Sequence, residues 1–424
     1  NTVRLSSPSI VYDGCSGAVV GPELRDVVSV GLLARVYPAG LVDEVLEACG
    51  RVERRSRLLP ARLMVYFVLG MALFSPDPYL EVMRKMTFGL RQIGLLGTWR
   101  EPSKPSIFLA RQRLGAEPLR ELFTRAAVPL AEPAESWAFW RGLRMMAVDG
   151  TCVDLADTVA NDEEFGRHGG RPKAGKPAYN RAAFPQARVV GLVECGTHAI
   201  VDAVISAYAV HEAPTARDLA RSMGPGMLVL GDRGLPGVDL WRAWSGSGAE
   251  LLLRLAHKRY GLVPNRLLPD GSWITTIHGR ADHRREHGIE VRALRYQLDD
   301  GPETYTLLTT LLDHEQYPGF ELAALYSERW EIETAFKELK TQQIGAGTVL
   351  TSKTPDGILQ QIWGHLLVHY ALRVHMLEAT RANADTLDPD RLSFTTCLRA
   401  ARRIALMPPA DFPPSPALPT PPDA

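Results

Sequence analysis

The chain has 424 residues, of which 46% are hydrophobic, and its 48 Lys and Arg balance its 48 Asp and Glu. Such a make-up is that of an ordinary soluble globular protein, for which disorder is not the default reading, and the chain is long enough for two or three cores. The neutral net charge carries no signal of a polyanionic partner, so any nucleic-acid surface must come from local clustering.

Up to about residue 133 the hydrophobic spacing predicts helices over 22–37, 41–49, 60–74, 79–90, 107–114 and 117–130, with no alternating strand pattern. This all-helical region carries Arg51, Arg54, Arg55 and Arg57 in one short stretch, then Arg84, Lys85, Arg91, Arg111 and Arg113. Solvated helix faces and DNA-end binding by a helical module are both open readings of those cations. From residue 144 the pattern becomes short β-type runs at 145–148, 187–195, 199–207 and 226–230, joined by helical segments such as 238–244. A Gly-, Arg- and His-rich stretch over 258–312 reads as a β-rich insertion. Helices return over 320–340 and 358–377, the latter apolar enough to be core, and the proline-dense tail after Met407 is expected to be disordered.

The cysteines at 15, 49, 152, 195 and 397 form no close pairs of the zinc or redox kind, which fits a reducing cytoplasm. The longest apolar run, residues 63–74, falls short of the roughly 20 residues of a membrane span. No basic-then-apolar leader pattern opens the chain, so a soluble intracellular protein is expected.

Three acidic residues stand where a metal-dependent nuclease would place them. Asp149 follows the apolar run Met145–Val148 and precedes Gly150; Asp232 follows the run ending in Gly231 and precedes Arg233 and Gly234. Either could also be a plain turn residue. Glu333 is more informative, because Tyr326, Arg329, Lys337 and Lys340 all fall within roughly 40° of it on an α-helical wheel. That row borders the apolar stripe of Leu325, Ile332, Phe336 and Leu339, as a site would; ordinary i,i+4 ion pairs are the alternative reading.

The spacing of Tyr326, Arg329, Glu333 and Lys340 resembles the signature of the insertion sequence 4 family of bacterial DDE transposases, and the stretches around Asp149 and Asp232 look like that family's two aspartate segments in the same order. The resemblance implies an α/β chain with a ribonuclease-H-like, retroviral integrase-type catalytic core carrying a β-rich insertion, preceded by an all-helical N-terminal domain. The domains expected are 1–135, helical and DNA-binding; 136–256 with 313–380, the core; 257–312, the insertion; and 381–424, a C-terminal helix and tail. It further implies that Asp149, Asp232 and Glu333 are the catalytic residues and bind two Mg²⁺ ions, with Mn²⁺ as a substitute. Tyr326, Arg329, Lys337, Lys340 and Arg233 would contact DNA.

By the same resemblance the function expected is binding of terminal inverted repeats, followed by cutting and joining of double-stranded DNA at those repeats and at a target site. The active form would be a homodimer in a synaptic complex, located with the bacterial nucleoid. A hairpin route requires a flipped base stacked on an aromatic ring. The family's stacking tryptophan is replaced here by Tyr305, with Trp273 a second candidate and sheet packing an open reading for both. The spread of His278, His283 and His287 is too loose to favour a metal site. A different metal-dependent nuclease on the same core, or a DNA-binding protein that has lost catalysis, are the remaining alternatives.

Overall fold

A computed structural model describes residues 32–53, 55, 57–92, 100–169, 181–235, 237–255, 262–279, 282–297, 304–382 and 392–407. The expected proline-rich tail lies outside these residues, as does Arg54 of the N-terminal arginine group.

The first described elements are all helices: α1 (Leu32–Val36), α2 (Ala39–Ala48), α3 (Ala61–Leu73), α4 (Tyr79–Gln92), α5 (Lys104–Leu114) and α6 (Glu117–Ala126). Helix α3 is apolar on nearly every side and is buried along almost its whole length, as expected for a helix enclosed by others. Two close approaches explain its partners. A Cβ on Gly70 would come within 2.8 Å of the Met86 sulfur on α4, and one on Gly364 would come within 3.2 Å of the Val68 carbonyl.

Gly364 belongs to a 28-residue helix, Pro355–Ala382, whose side chains are buried on most faces. That helix packs on α3 with one side and on the sheet with another, so it joins the helical region to the rest of the chain as core. Arg111 of α5 secures the junction: buried, it donates to Gln360 at 2.9 Å and to the Gly357 carbonyl at 3.1 Å. The sequence grouped Arg111 with cations able to reach DNA; its position in the core assigns it to packing instead.

The second part is one mixed sheet. Its strands are β1 (Phe139–Trp140), β2 (Leu143–Asp154), β3 (Gln186–Glu194), β4 (Ala199–Ala207), β5 (Met227–Gly231), β6 (Glu250–Leu255), β7 (Arg266–Leu267), β8 (Trp273–Ile277), β9 (Ile289–Gln297) and β10 (Thr304–Thr309). They lie in the order β4-β3-β2-β5-β6-β10-β9-β8-β7, with β1 beside β2. Strands β2, β3 and β4 are antiparallel, whereas β5 runs parallel to β2 and β6 parallel to β5. Three antiparallel strands followed by two parallel ones form the ribonuclease-H-like core. The strands of 257–312 extend this same sheet, because β10 pairs directly with β6.

Strand β2 continues beyond the expected end at Val148 and runs through Asp149 to Asp154. The extension is made by pairing with β3, up to Asp154 opposite Gln186, a contact that a local apolar pattern does not reveal. The helix expected over 320–340 is also altered. It is divided into α10 (Gly319–Leu325), a 3₁₀ turn (Tyr326–Trp330), α11 (Glu331–Lys337) and a π-helical stretch (Glu338–Gly345). The long helix, Pro355–Ala382, is α12, and α13 (Phe394–Ile404) follows it.

Candidate active site

The parallel register of β2 and β5 builds the site. Val148 lies opposite Gly231, so the next residue along each segment, Asp149 within β2 and Asp232 just past the end of β5, follows at the same level. Asp232 thus follows the carboxyl end of a parallel strand, the kind of place where α/β sheets put ligands. Above the two aspartates lies α11, held down by Phe336, whose ring would be 3.3 Å from a Cβ on Gly191. Gly191 is the β3 partner of Asp149. Glycine there lets the helix sit close enough to the sheet to bring Glu333 toward the two aspartates.

Overwinding at 326–330 changes which side chains face the strands. In a 3₁₀ turn residues three apart eclipse, and Tyr326 and Arg329 are both buried against the sheet. The Tyr326 hydroxyl donates to the Gly231 carbonyl at 3.1 Å. The phenol, expected on DNA, thus fixes the end of β5 next to Asp232. Arg329 reaches both remaining carboxylates, with Nη2 3.2 Å from Glu333 and Nη1 3.7 Å from Asp149. Lys337 is exposed, Lys340 half-buried and Arg233 exposed.

The charges at this site are incompletely matched. Burial pushes the Asp149 carboxyl up to about 6; the Gly150 amide and Arg329 pull against that shift, while Glu212 and Asp232 add to it. One Asp232 oxygen, Oδ1, is buried without a hydrogen-bond donor, and its nearest cation is Arg254 at 4.0 Å. Burial works against the Arg329 charge too, but Tyr326, Asp232, Glu333 and Asp149 hold its pKa above the ordinary value.

Asp149, Asp232 and Glu333 offer hard oxygen donors of the kind Mg²⁺ prefers. The under-compensated charge of the two aspartates also suits an added cation. Among the described residues, however, no three His, Cys, Asp or Glu side chains converge as a metal cluster, and Arg329 stands between Asp149 and Glu333.

Beside the carboxylates lies an aromatic and arginine wall that the sequence reading partly missed. Tyr305 on β10 faces Tyr296 on β9, with ring centroids 5.3 Å apart, and the Arg254 guanidinium lies 4.2 Å from the Tyr305 centroid. Tyr296 also meets Tyr326 at 6.4 Å. Arg254 could have been noticed as a charge interrupting the leucine run of β6. Tyr296 joins the wall only through the pairing of β9 with β10.

Trp273 is buried on β8 beneath Arg295, a packing role. His278 pairs with Asp282 at 3.0 Å within a turn. Arg292, counted among the basic residues of the insertion, is buried and bonded to Ser272, Asp270 and the Tyr317 carbonyl. In the helical region Arg51, Arg55, Arg57 and Arg113 border a cavity of about 520 Å³ floored by Leu59, Met64 and Leu114.

Comparison with known proteins agrees with this architecture. Residues 27–124 match the family model "Insertion element 4 transposase N-terminal", and residues 140–371 match "Transposase DDE domain". The transposase InsG of insertion sequence element IS4 from Escherichia coli K12 is 30% identical over 368 residues, covering 84% of this chain and 78% of that one. Among solved structures, a piggyBac transposase in a synaptic complex with hairpin DNA aligns over 88% of this chain and 79% of its own. Its TM-score is 0.47 at 9% identity, too loose to inform the site. With a DDE domain spanning more than half its length and a relative matched over most of both chains, the protein belongs to the insertion sequence 4 family of DDE transposases, enzymes that cut and join DNA.

Proposed function

We propose that this transposase binds the terminal inverted repeats of its element and cuts and rejoins DNA with Asp149, Asp232 and Glu333 as its catalytic, metal-binding carboxylates. The observation that carries the reading is the β2–β5 register, which brings Asp149 near Asp232, next to a 3₁₀ turn whose Arg329 lies 3.7 Å from Asp149 and 3.2 Å from Glu333. Two Mg²⁺ ions, or Mn²⁺ in their place, would polarise the phosphodiester and stabilise the attacking and leaving oxygens. Asp149 on β2, Asp232 just past β5 and Glu333 on α11 would supply the ligands.

Arg329 is the buried fork that positions a phosphate against these groups. Lys337, Lys340 and Arg233 extend the cationic surface along the DNA backbone, where contacts fix register more than sequence. Tyr326 holds the end of β5 in place. Tyr305, backed by Arg254 and Tyr296, offers a ring on which a flipped base stacks, which supports a cut-and-paste route through a hairpin. The helical N-terminal domain, with its arginine-bordered cavity, grips the repeat, and two copies act together in a synaptic dimer on the bacterial nucleoid.

The test uses a duplex carrying the inverted repeat that flanks the gene, a target plasmid and Mg²⁺. Asp149→Asn, Asp232→Asn and Glu333→Gln are each expected to lower cleavage by about 10³-fold or more while still binding the duplex. Cleavage by Glu333→Gln at the wild-type rate would refute the assignment. Cleavage without joined products would instead mark a nuclease on the same core.

A further inference from the structure

Glu212 opens the short helix Glu212–Ala216 that follows β4, and nothing in its sequence context singles it out. The fold nevertheless lays its carboxyl group across the chain just after each aspartate. A Cβ on Gly150 would lie 2.9 Å from its carboxyl carbon and from Oε1, and one on Gly234 would lie 3.6 Å from Oε2. Gly150 directly follows Asp149, and Gly234 comes two residues after Asp232. Neither glycine has the left-handed backbone that would by itself favour glycine, so at both positions the missing side chain supplies space, and Glu212 fills it.

The carboxyl group is also held from behind. Arg188 on β3 donates to Oε1 at 2.5 Å, and Arg188 is itself fixed by the Tyr208 carbonyl at 3.3 Å and stacked over the Tyr208 ring at 5.4 Å. One oxygen is thereby committed to Arg188, leaving Oε2 on the side of Gly234. A surface ion pair needs no such placement. An anion set beside the residue that follows Asp149, and near the one two places after Asp232, adds to the negative charge there unless a cation joins them.

We infer that Glu212 is a fourth acidic group of the active site, a positioning residue that would help orient the hydration shell of a divalent cation held by Asp149 and Asp232. The inference rests on the proposed roles of those aspartates. Mg²⁺ and Mn²⁺ sites of this kind keep several waters, and outer groups that orient first-sphere ligands typically alter metal affinity 10- to 100-fold when removed. Arg188 fixes the tilt of the carboxyl group, and Gly150 and Gly234 keep its approach open.

Mn²⁺ binding to the full chain without DNA, followed by electron paramagnetic resonance, tests this independently of activity. Glu212→Gln preserves shape and is expected to weaken binding about 10- to 100-fold, with an unchanged melting temperature in metal-free buffer. Glu212→Asp keeps the charge with a shorter reach and is expected to retain more affinity than the Gln variant; it serves also if that variant folds poorly. Wild-type affinity in Glu212→Gln beside lost affinity in Asp149→Asn would overturn the role of Glu212 alone, as would weaker binding by Glu212→Asp than by Glu212→Gln. Equal binding by wild type, Asp149→Asn and Glu212→Gln would overturn the aspartate assignment and this inference with it.

Discussion

The segment from Glu331 to Gly345 has charged groups on two sides, buried on one and half-buried on the other, and the two sides are treated in opposite ways. Toward α12, Glu338 is bonded to Arg373, lies 3.4 Å from His369 and shares Arg373 with His198, while Glu331 pairs with His198. Burial acts to raise the Glu338 pKa, yet His369, Arg373 and His198 hold it below the ordinary value. Toward β2 and β5, burial of Asp149 prevails over its partners, and Asp232 keeps an oxygen without a donor. A buried carboxylate already supplied with cations is part of the frame. One left short of them is a place for a ligand to bind.

The largest effect separating the two sides is expected from Arg373→Met, which strands Glu338 in the core. A loss of about 3–5 kcal/mol in urea unfolding is expected; a loss below about 1 kcal/mol would remove the structural half of the comparison. Arg329→Lys should show the reverse profile. It keeps the charge but loses the fork that spans Asp149 and Glu333, so cleavage should fall about 10²-fold while the unfolding midpoint shifts little. Unfolding titrations and single-turnover cleavage on the same preparations separate these outcomes.

A third, smaller effect concerns pH. A carboxyl whose folded pKa, about 6, exceeds its ordinary value of 3.8 contributes stability that is full below the lower value and is lost as pH rises through the higher one. Metal-free wild type should therefore lose stability between pH 4 and about 7 relative to Asp149→Asn, by about 1–3 kcal/mol. Added Mn²⁺ should reverse that order for the wild type alone. Parallel pH profiles for the two proteins would show that Asp149 is compensated as well as Glu338 is.

The smallest effect belongs to Gly191→Ala. Its new methyl would meet the Phe336 ring at 3.3 Å, lifting α11 at a cost of about 1 kcal/mol. Cleavage should fall more than stability does, because Glu333 rides on the same helix.

Much of this contrast was legible before the fold was known. The apolar runs before Asp149 and Asp232 become strands β2 and β5, and the spacing around Glu333 places Tyr326, Arg329 and Glu333 near them. What local pattern could not supply was pairing and burial. Arg111 stands among cations that could be solvated or reach DNA, and Arg292 lies in a stretch legible only as Arg-rich, yet long-range partners bury both. The wheel assumed one regular α-helix, whereas the 3₁₀ turn and π stretch bury Tyr326 and Arg329 and leave Glu333 and Lys337 exposed. Arg254, Tyr296 and Glu212 reach the site only because β6, β9 and the segment after β4 are brought beside it.

On the proposed function, divalent cations would act on DNA at the under-compensated side of this segment. The most direct test replaces Mg²⁺ with Fe²⁺ in the full chain and maps the backbone breaks made by locally generated hydroxyl radicals. Breaks confined to the neighbourhood of residues 149, 232 and 333, suppressed by excess Mg²⁺ and lost in Asp149→Asn, are the predicted result. Breaks elsewhere, or a pattern that Asp149→Asn leaves unchanged, would contradict the account.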